Sequence, residues 1–436
     1  MIRALFALAT ALTLATPLRA EVSIQEITTP GGINAWLVEE HSIPFTALEI
    51  RFQGGGSLDL PGKRGATNLM VGLLEEGAGD LDARAFTKAK EGLAADLSYA
   101  ITDDTVAVSA RFLTENRSEA IALLRQSLVA PRFDAEAIER VRAQVLTGLR
   151  QDEKDSRSLA ARAFDAMAFA GHPYASTHEG TIESVSALTR DDLLTAHQGA
   201  LVRDRLYVGA VGDITPADLS ALLDELFAGL PATGAALPEP ITPAFPGGIH
   251  LTKFDTPQSV ILFGQPGIDR DDPDFFAAFV LDHILGGGGF ESRLMQEVRE
   301  KRGLTYGVYS YLADRDLAFW WGGSLNSQNE RAAEAIEVIR TEWQKMRDEG
   351  VTEAELNDAK TYLTGAYPLR FDGNGPIASI LVGMQMQGLP TSYIIERNSK
   401  VNAVTLDDVK RVATRLMSPE NLTFIVVGKP AGLPAN

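Results

Sequence analysis

The chain has 436 residues, 45% of them hydrophobic and 22% charged, which suits packed cores and excludes a largely disordered protein. Its 40 Lys and Arg stand against 58 Asp and Glu, a formal charge of −18 that disfavours nucleic-acid and anionic-membrane partners. With 0 cysteines it has no disulfide, no thiolate metal site and no cysteine nucleophile, so packing must hold it together.

Residues 1–20 run from Met1 and Arg3 through an apolar stretch, Ala4 to Thr16, to Pro17, Leu18, Arg19 and Ala20. The pattern predicts a secretory signal cleaved after Ala20 and a periplasmic mature protein. No later run approaches the roughly 18 consecutive apolar residues of a membrane span, so no integral membrane segment is expected.

The first half, residues 21–230, opens with alternating apolar segments, Ala35 to Val38 and Phe45 to Phe52, that predict strands. From Phe133 to Asp152, Ile138, Val141, Val145 and Leu149 recur at helical spacing and predict an amphipathic helix. Thr189, followed by Asp191 and Asp192, has the signature of an N-cap, since carboxylates favour the positive end of a helix. A terminal strand, Leu206 to Gly212, closes this half. Residues 231–247 then carry Pro231, Pro238, Pro240, Pro243 and Pro246 among small residues, which bars regular helix and predicts an extended linker. The second half, residues 248–436, repeats the plan with a helical pattern from Ala332 to Met346, an N-cap at Thr405 and a last strand from Leu422 to Gly428.

The likeness of the halves is a duplication. Gly32-Ile33 and Gly248-Ile249, and Leu188-Thr189 and Val404-Thr405, lie 216 residues apart, while Leu146-Thr147-Gly148 and Leu363-Thr364-Gly365 lie 217 apart. Constant order and spacing predict two homologous α+β domains.

Between Leu285 and Ser310 the chain reads Gly286 to Gly289, Phe290, Glu291, Ser292, Arg293, then Arg299, Gly303, Leu304, Thr305, Tyr306 and Gly307. This string closely resembles the glycine-rich loop, helix and turn of the carboxy-terminal domains of pitrilysin/insulinase-like zinc peptidases, including mitochondrial processing peptidase. His172-Pro173-Tyr174 before Gly180-Thr181 extends the likeness. The resemblance implies two ferredoxin-like domains per chain. It also implies a four-domain chamber for unfolded peptide, built here by pairing with a second chain.

In that family an inverted motif, His-x-x-Glu-His, supplies two zinc ligands and the glutamate that activates water. Here Asn68 and Gly72 occupy the histidine positions and Val71 the glutamate, while Thr147 or Gly148 stands where a further carboxylate ligand belongs. No cofactor is therefore expected on this chain, and zinc is expected in a homologous partner. Glu75 and Glu76 make poor substitutes, because adjacent helix residues point about 100° apart. The six histidines, at 41, 172, 178, 197, 250 and 283, never show the i, i+4 spacing of a helical metal pair, which leaves His172 and His178 as an alternative pair.

Arg299 and Tyr306 match the family's arginine–tyrosine pair, which the resemblance directs toward a peptide carbonyl in the active site of the partner. A permanently charged fork and a directed hydroxyl suit an oxyanion. Gly286, Gly287, Gly288 and Gly289 lack a following Gly-Lys-Ser/Thr, so close approach of a substrate backbone or chamber wall is expected of them rather than phosphate binding.

Overall fold

The computed structural model describes residues 23–433, and the signal expected over residues 1–20 lies outside the described residues. The first half contributes β1 (Gln25–Thr28), β2 (Asn34–Glu39), β3 (Phe45–Gln53), a two-residue pair β4 (Gly77–Ala78) and β5 (Leu81–Asp82), then β6 (Asp96–Ile101), β7 (Thr105–Leu113) and β8 (Leu206–Gly212). The second contributes β9 (Gly248–Lys253), β10 (Gln258–Pro266), β11 (Thr305–Arg315), β12 (Ala318–Gln328) and β13 (Thr423–Gly428).

The sheet orders are β1-β2-β8-β3-β7-β6 and β9-β13-β10-β12-β11. Apart from the extra edge strand β1, one order is the image of the other. The single parallel pair also recurs, β2 with β8 and β9 with β13. Thr189 and Thr405 both cap helices through reciprocal bonds with Asp192 and Asp408. The structure is α+β, with helices on sheets, as the periodicities predict. Among the described residues no helix is long and apolar enough to cross a membrane.

Each sheet covers one face with its own helices. Phe52, Phe86, Phe112 and Phe227 fill the first core, while Phe263, Trp321, Trp343 and Phe424 fill the second. Burying one such ring contributes about 2–3 kcal/mol, so these clusters dominate the stability. The opposite faces are covered by exchange. Helix Asn374–Met386 of the second half lies on β3 and β8, where Ala378 and Leu381 meet Ala47 and Val211. Gly209 in β8 makes this possible, since a Cβ there would stand 2.5 Å from the Ala378 carbonyl. Reciprocally, helix Ser156–Ala168 of the first half lies on β10 and β13, with Ala160 against Val260 and Val427.

The proline-rich connection is pinned along this seam. The amides of Ile241 and Ala244 donate to the carbonyls of Leu317 and Ala168. The β6–β7 and β11–β12 hairpin tips also meet there. Asp103 pairs with Arg64 at 2.6 Å and Arg315 at 3.3 Å, Gln53 donates to Asp316 at 2.8 Å, and Arg315 lies over the rings of Tyr174, Trp320 and Phe169. Burial pushes the nearby carboxyls of Asp104 and Asp165 up to about 6.

Candidate functional site

Two regions carry the residues singled out in the sequence. The first is the short helix Ala66–Val71, which runs into Gly72 and packs against helix Ala135–Asp152. Asp59 anchors its start by accepting from the amides of Gly65 and Thr67 at 2.7 and 2.8 Å. Asn68 is half-buried, and Val71 is buried in the apolar core. Gly72 is exposed, and a Cβ on it would stand 3.1 Å from Val141 Cγ1, a tight approach to the neighbouring helix. Gly148 is exposed and faces open space. An amide, a valine and two glycines offer neither two imidazoles nor a carboxylate, so these residues do not fit a catalytic zinc. Thr147 bonds back to the Ala143 carbonyl at 2.7 Å.

Other donors nearby are committed elsewhere. Glu75 pairs with Lys90 at 2.8 Å, and Glu76 pairs with Arg140. His172 caps a turn, its Nδ1 accepting from the Tyr174 amide at 3.1 Å while Nε2 faces the Glu239 carbonyl at 3.2 Å. His178 instead sits beside Gly56. Among the described residues no group of three or more candidate ligands is placed to hold a metal ion.

The second region joins the end of helix Phe275–Asp282 to β11. A wide helical turn, His283–Gly287, ends this helix, and Gly286 lies flush on β11. A Cβ on Gly286 would stand 2.6 Å from the Ser310 amide nitrogen, and one on Gly288 2.6 Å from the His283 carbonyl. The close approach at these two glycines is thus to the chain itself. Gly287 is exposed beside Asp282, and Gly289 takes a left-handed φ of 62° with open space around it. His283 stacks on Tyr362 at 5.1 Å.

Asp282, which sequence reasoning passed over, locks this junction. Its Oδ1 accepts from Ser310 Oγ at 2.6 Å and from Trp321 Nε1 at 2.7 Å, tying the helix end to β11 and β12. Burial pushes its carboxyl up to about 6, against the pull of those two donors. The available signal was an acid closing an otherwise apolar helix, Phe-Phe-Ala-Ala-Phe-Val-Leu-Asp.

Past the glycines, Arg293 makes a two-point bond to Glu355 at 2.6 and 2.8 Å. This fastens the segment to helix Glu353–Ala366. Burial alone would raise the Glu355 carboxyl, but Arg293 and the amide and hydroxyl of Thr352 hold it down at about 2. On that footing sits the turn Met295–Glu300, which carries Arg299. The Arg299 guanidinium stands over the exposed Phe290 ring at 4.5 Å. Its Nη1 lies 3.4 Å from Glu300 Oε1 and is buried with no hydrogen-bond partner. The ring beneath and the loose ion pair to Glu300 fix the direction of this charged donor.

Tyr306 owes its position to a break in register. Thr305 pairs with Ser327 and Val308 with Leu325, so two residues of β11 face one of β12. The bulge is stitched by the Thr305 hydroxyl, which lies 2.8 and 2.7 Å from the Gly307 and Asn326 carbonyls. Bulges re-aim side chains, and here the ring of Tyr306 is thrust into solvent, 87% exposed. Tyr309 and Tyr311 follow on the exposed face of the same edge strand.

Residues 187–363 match the family profile described as the peptidase M16 inactive domain. The non-peptidase homolog YmxG of Helicobacter pylori is 28% identical over 394 residues, covering 89% of this chain and 90% of that protein. An uncharacterized zinc protease of Streptomyces coelicolor is 25% identical, covering 90% and 86%. The crystal structure of a peptidase M16 inactive domain from Pseudomonas fluorescens superposes with a TM-score of 0.87 at 29% identity, covering 95% of this chain and 99% of that one.

Proposed function

We propose that this chain, which belongs to the peptidase M16 family as a non-catalytic member, is the non-zinc half of a two-subunit metallopeptidase in the bacterial periplasm. It would hold unfolded peptide against a zinc-bearing homologous subunit and cleave nothing alone. One contrast carries the reading. The positions for metal and base are filled with Asn68, Val71, Gly72 and Gly148, whereas Arg299 is held over Phe290 with no hydrogen bond and only a 3.4 Å ion pair to Glu300, and Tyr306 is exposed.

In such a complex the partner would supply zinc and the activated water. Arg299 would donate to the peptide carbonyl oxygen as negative charge develops on it, and Tyr306 would direct its hydroxyl to the same oxygen or its neighbour. Donors held before the reaction stabilise the developing charge without reorganisation. Peptide backbone could pass the glycine loop at Gly287 and Gly289, whose outer sides are open, with Gly286 and Gly288 setting the loop's seat. A second reading, a peptide-binding or scaffolding homologue outside proteolysis, is favoured by the name of the Helicobacter relative, which calls it a non-peptidase homolog.

The test is co-expression with a similar-length exported protein bearing His-x-x-Glu-His, purification through a tag on this chain, and assay of zinc and of quenched-peptide cleavage. Zinc-dependent cleavage that needs both chains supports the heterodimer. A chain that purifies alone and leaves the partner's activity unchanged sinks it and leaves the binding reading.

A further inference from the structure

In a chain with 58 acidic residues, three arginines that face one cavity with no carboxylate in its wall call for an explanation. Arg270 follows β10, Arg370 lies between helices, and Arg397 sits in helix Tyr393–Ala403. All three line a cavity of about 610 Å³ bounded by helices Phe275–Asp282, Asn374–Met386 and Tyr393–Ala403, and no Asp or Glu is in its wall. None of the three takes part in an ion pair among the described residues.

Their bonds hold them in place without neutralising them. Arg270 donates from Nη2 to the Tyr393 hydroxyl at 2.9 Å, while its Nε is buried with no partner. Arg397, only 7% exposed, donates from Nη1 to the Leu363 carbonyl at 2.9 Å and to Asn398 at 3.1 Å. Burial lowers the Arg397 guanidinium from its ordinary range, and the charges of Arg370 and Arg270 push the same way. Outside the wall, Asp314 feels the Arg270 charge and meets Gln387 at 3.5 Å, and Asp271, Asp272 and Asp274 line the adjoining cavity that shares Arg270.

Five rings, Phe275, Phe276, Phe279, Tyr367 and Tyr393, share the wall with aliphatic side chains such as Ile380 and Leu389. The Arg270 guanidinium lies 5.0 Å from the Phe275 ring and 5.5 Å from that of Tyr393, and Arg397 lies 4.4 Å from Tyr367 and 5.4 Å from Phe279. A guanidinium with its face on a ring leaves its edge N–H groups for a planar, two-oxygen acceptor. Aromatic walls favour an apolar body over a bare ion. We propose that this cavity binds a carboxylate carried on an apolar or aromatic body, a site separate from Arg299 and Tyr306. Such a carboxylate could be the free end of a peptide or a small organic acid.

Calorimetric titration of the full mature chain with N-acetyl-phenylalanine, its amide and inorganic phosphate tests this. Saturable binding of the acid is expected, weakened at least about tenfold for the amide and about tenfold in Arg270→Gln or Arg370→Gln. The Arg370 variant alters an exposed side chain and guards against a folding defect. A decapeptide ending in free phenylalanine that binds as well as the acetylated acid assigns polypeptide ends. Tenfold weaker binding of the peptide assigns small acids, and both results uphold the carboxylate site. Equal binding of acid and amide, no binding at millimolar concentration, or phosphate binding as tightly as the acid overturns it.

Discussion

The helix at Ala66–Val71 and the loop from Gly286 to Tyr306 both resemble catalytic machinery, yet the fold treats them in opposite ways. Around the first, the chain has closed over the vacated chemistry: Val141 lies against Gly72, Val71 is in the core, and Glu75 and Glu76 are taken by Lys90 and Arg140. Around the second, scaffolding bonds from Asp282, Arg293 and Thr305 end on backbone and neighbours, leaving Arg299 Nη1 with only the ion pair to Glu300 at 3.4 Å and the Tyr306 ring exposed. The first region is thus tied up by the chain's own atoms, whereas the second presents an exposed ring and a guanidinium with only a loose ion pair.

The hardest test of the closed region is to reopen it. Grafting Asn68→His, Val71→Glu, Gly72→His and Gly148→Glu together should bind no stoichiometric zinc. It should also destabilise the chain by roughly 3–5 kcal/mol, from an overpacked contact at Val141 and a buried glutamate. Metal analysis with chemical denaturation reads both, and a stable, zinc-loaded variant would break the contrast.

For the open region, Arg299→Ala in the two-chain complex should lower kcat about 100-fold, and Tyr306→Phe about tenfold, with melting of the chain unchanged. A loss confined to KM would reassign the pair to substrate binding in the ground state.

The carboxyls of Asp104, Asp165 and Asp282, pushed up to about 6 by burial, set a pH dependence shared by the seam and the glycine loop. Their ordinary value is 3.8, so the folded state takes up protons first as pH falls. Stability should rise by on the order of 3 kcal/mol from pH 7 to pH 5. Below about pH 4, where the unfolded aspartates also take up protons and that gain ends, stability should fall again, because Glu355, held at about 2 in the folded chain, resists the protonation that the unfolded chain accepts nearer 4.5. Urea midpoints across pH 3–8 give the curve, and a monotonic decline from pH 7 downward would contradict it.

Within the loop, Gly286→Ala should cost about 1–3 kcal/mol, because its Cβ meets the Ser310 backbone. Glu75→Gln should move stability by no more than about 0.5 kcal/mol, as befits a partly exposed ion pair. If the glutamine variant proves the more damaging, the closed region is held by more than packing.

Periodicity and spacing were enough to recover the α+β class and the caps at Thr189 and Thr405, because each depends on residues close in sequence. Missing ligands were equally legible, since a helical metal motif is local: Asn68, Val71 and Gly72 lie within one turn or so. The position of Tyr306 was not, because a bulge depends on which residue of β12 each residue of β11 faces. Nor was the role of Asp282, whose donors come from two other strands.

The sequence by itself determined what each half is built from and which chemistry it lacks. Only the tertiary structure decided that each half lends a helix to the other's sheet. It alone brings Arg270, Arg370 and Arg397 to one aromatic cavity, since buried surface and charge are properties of residues that meet in space, however far apart they lie along the chain.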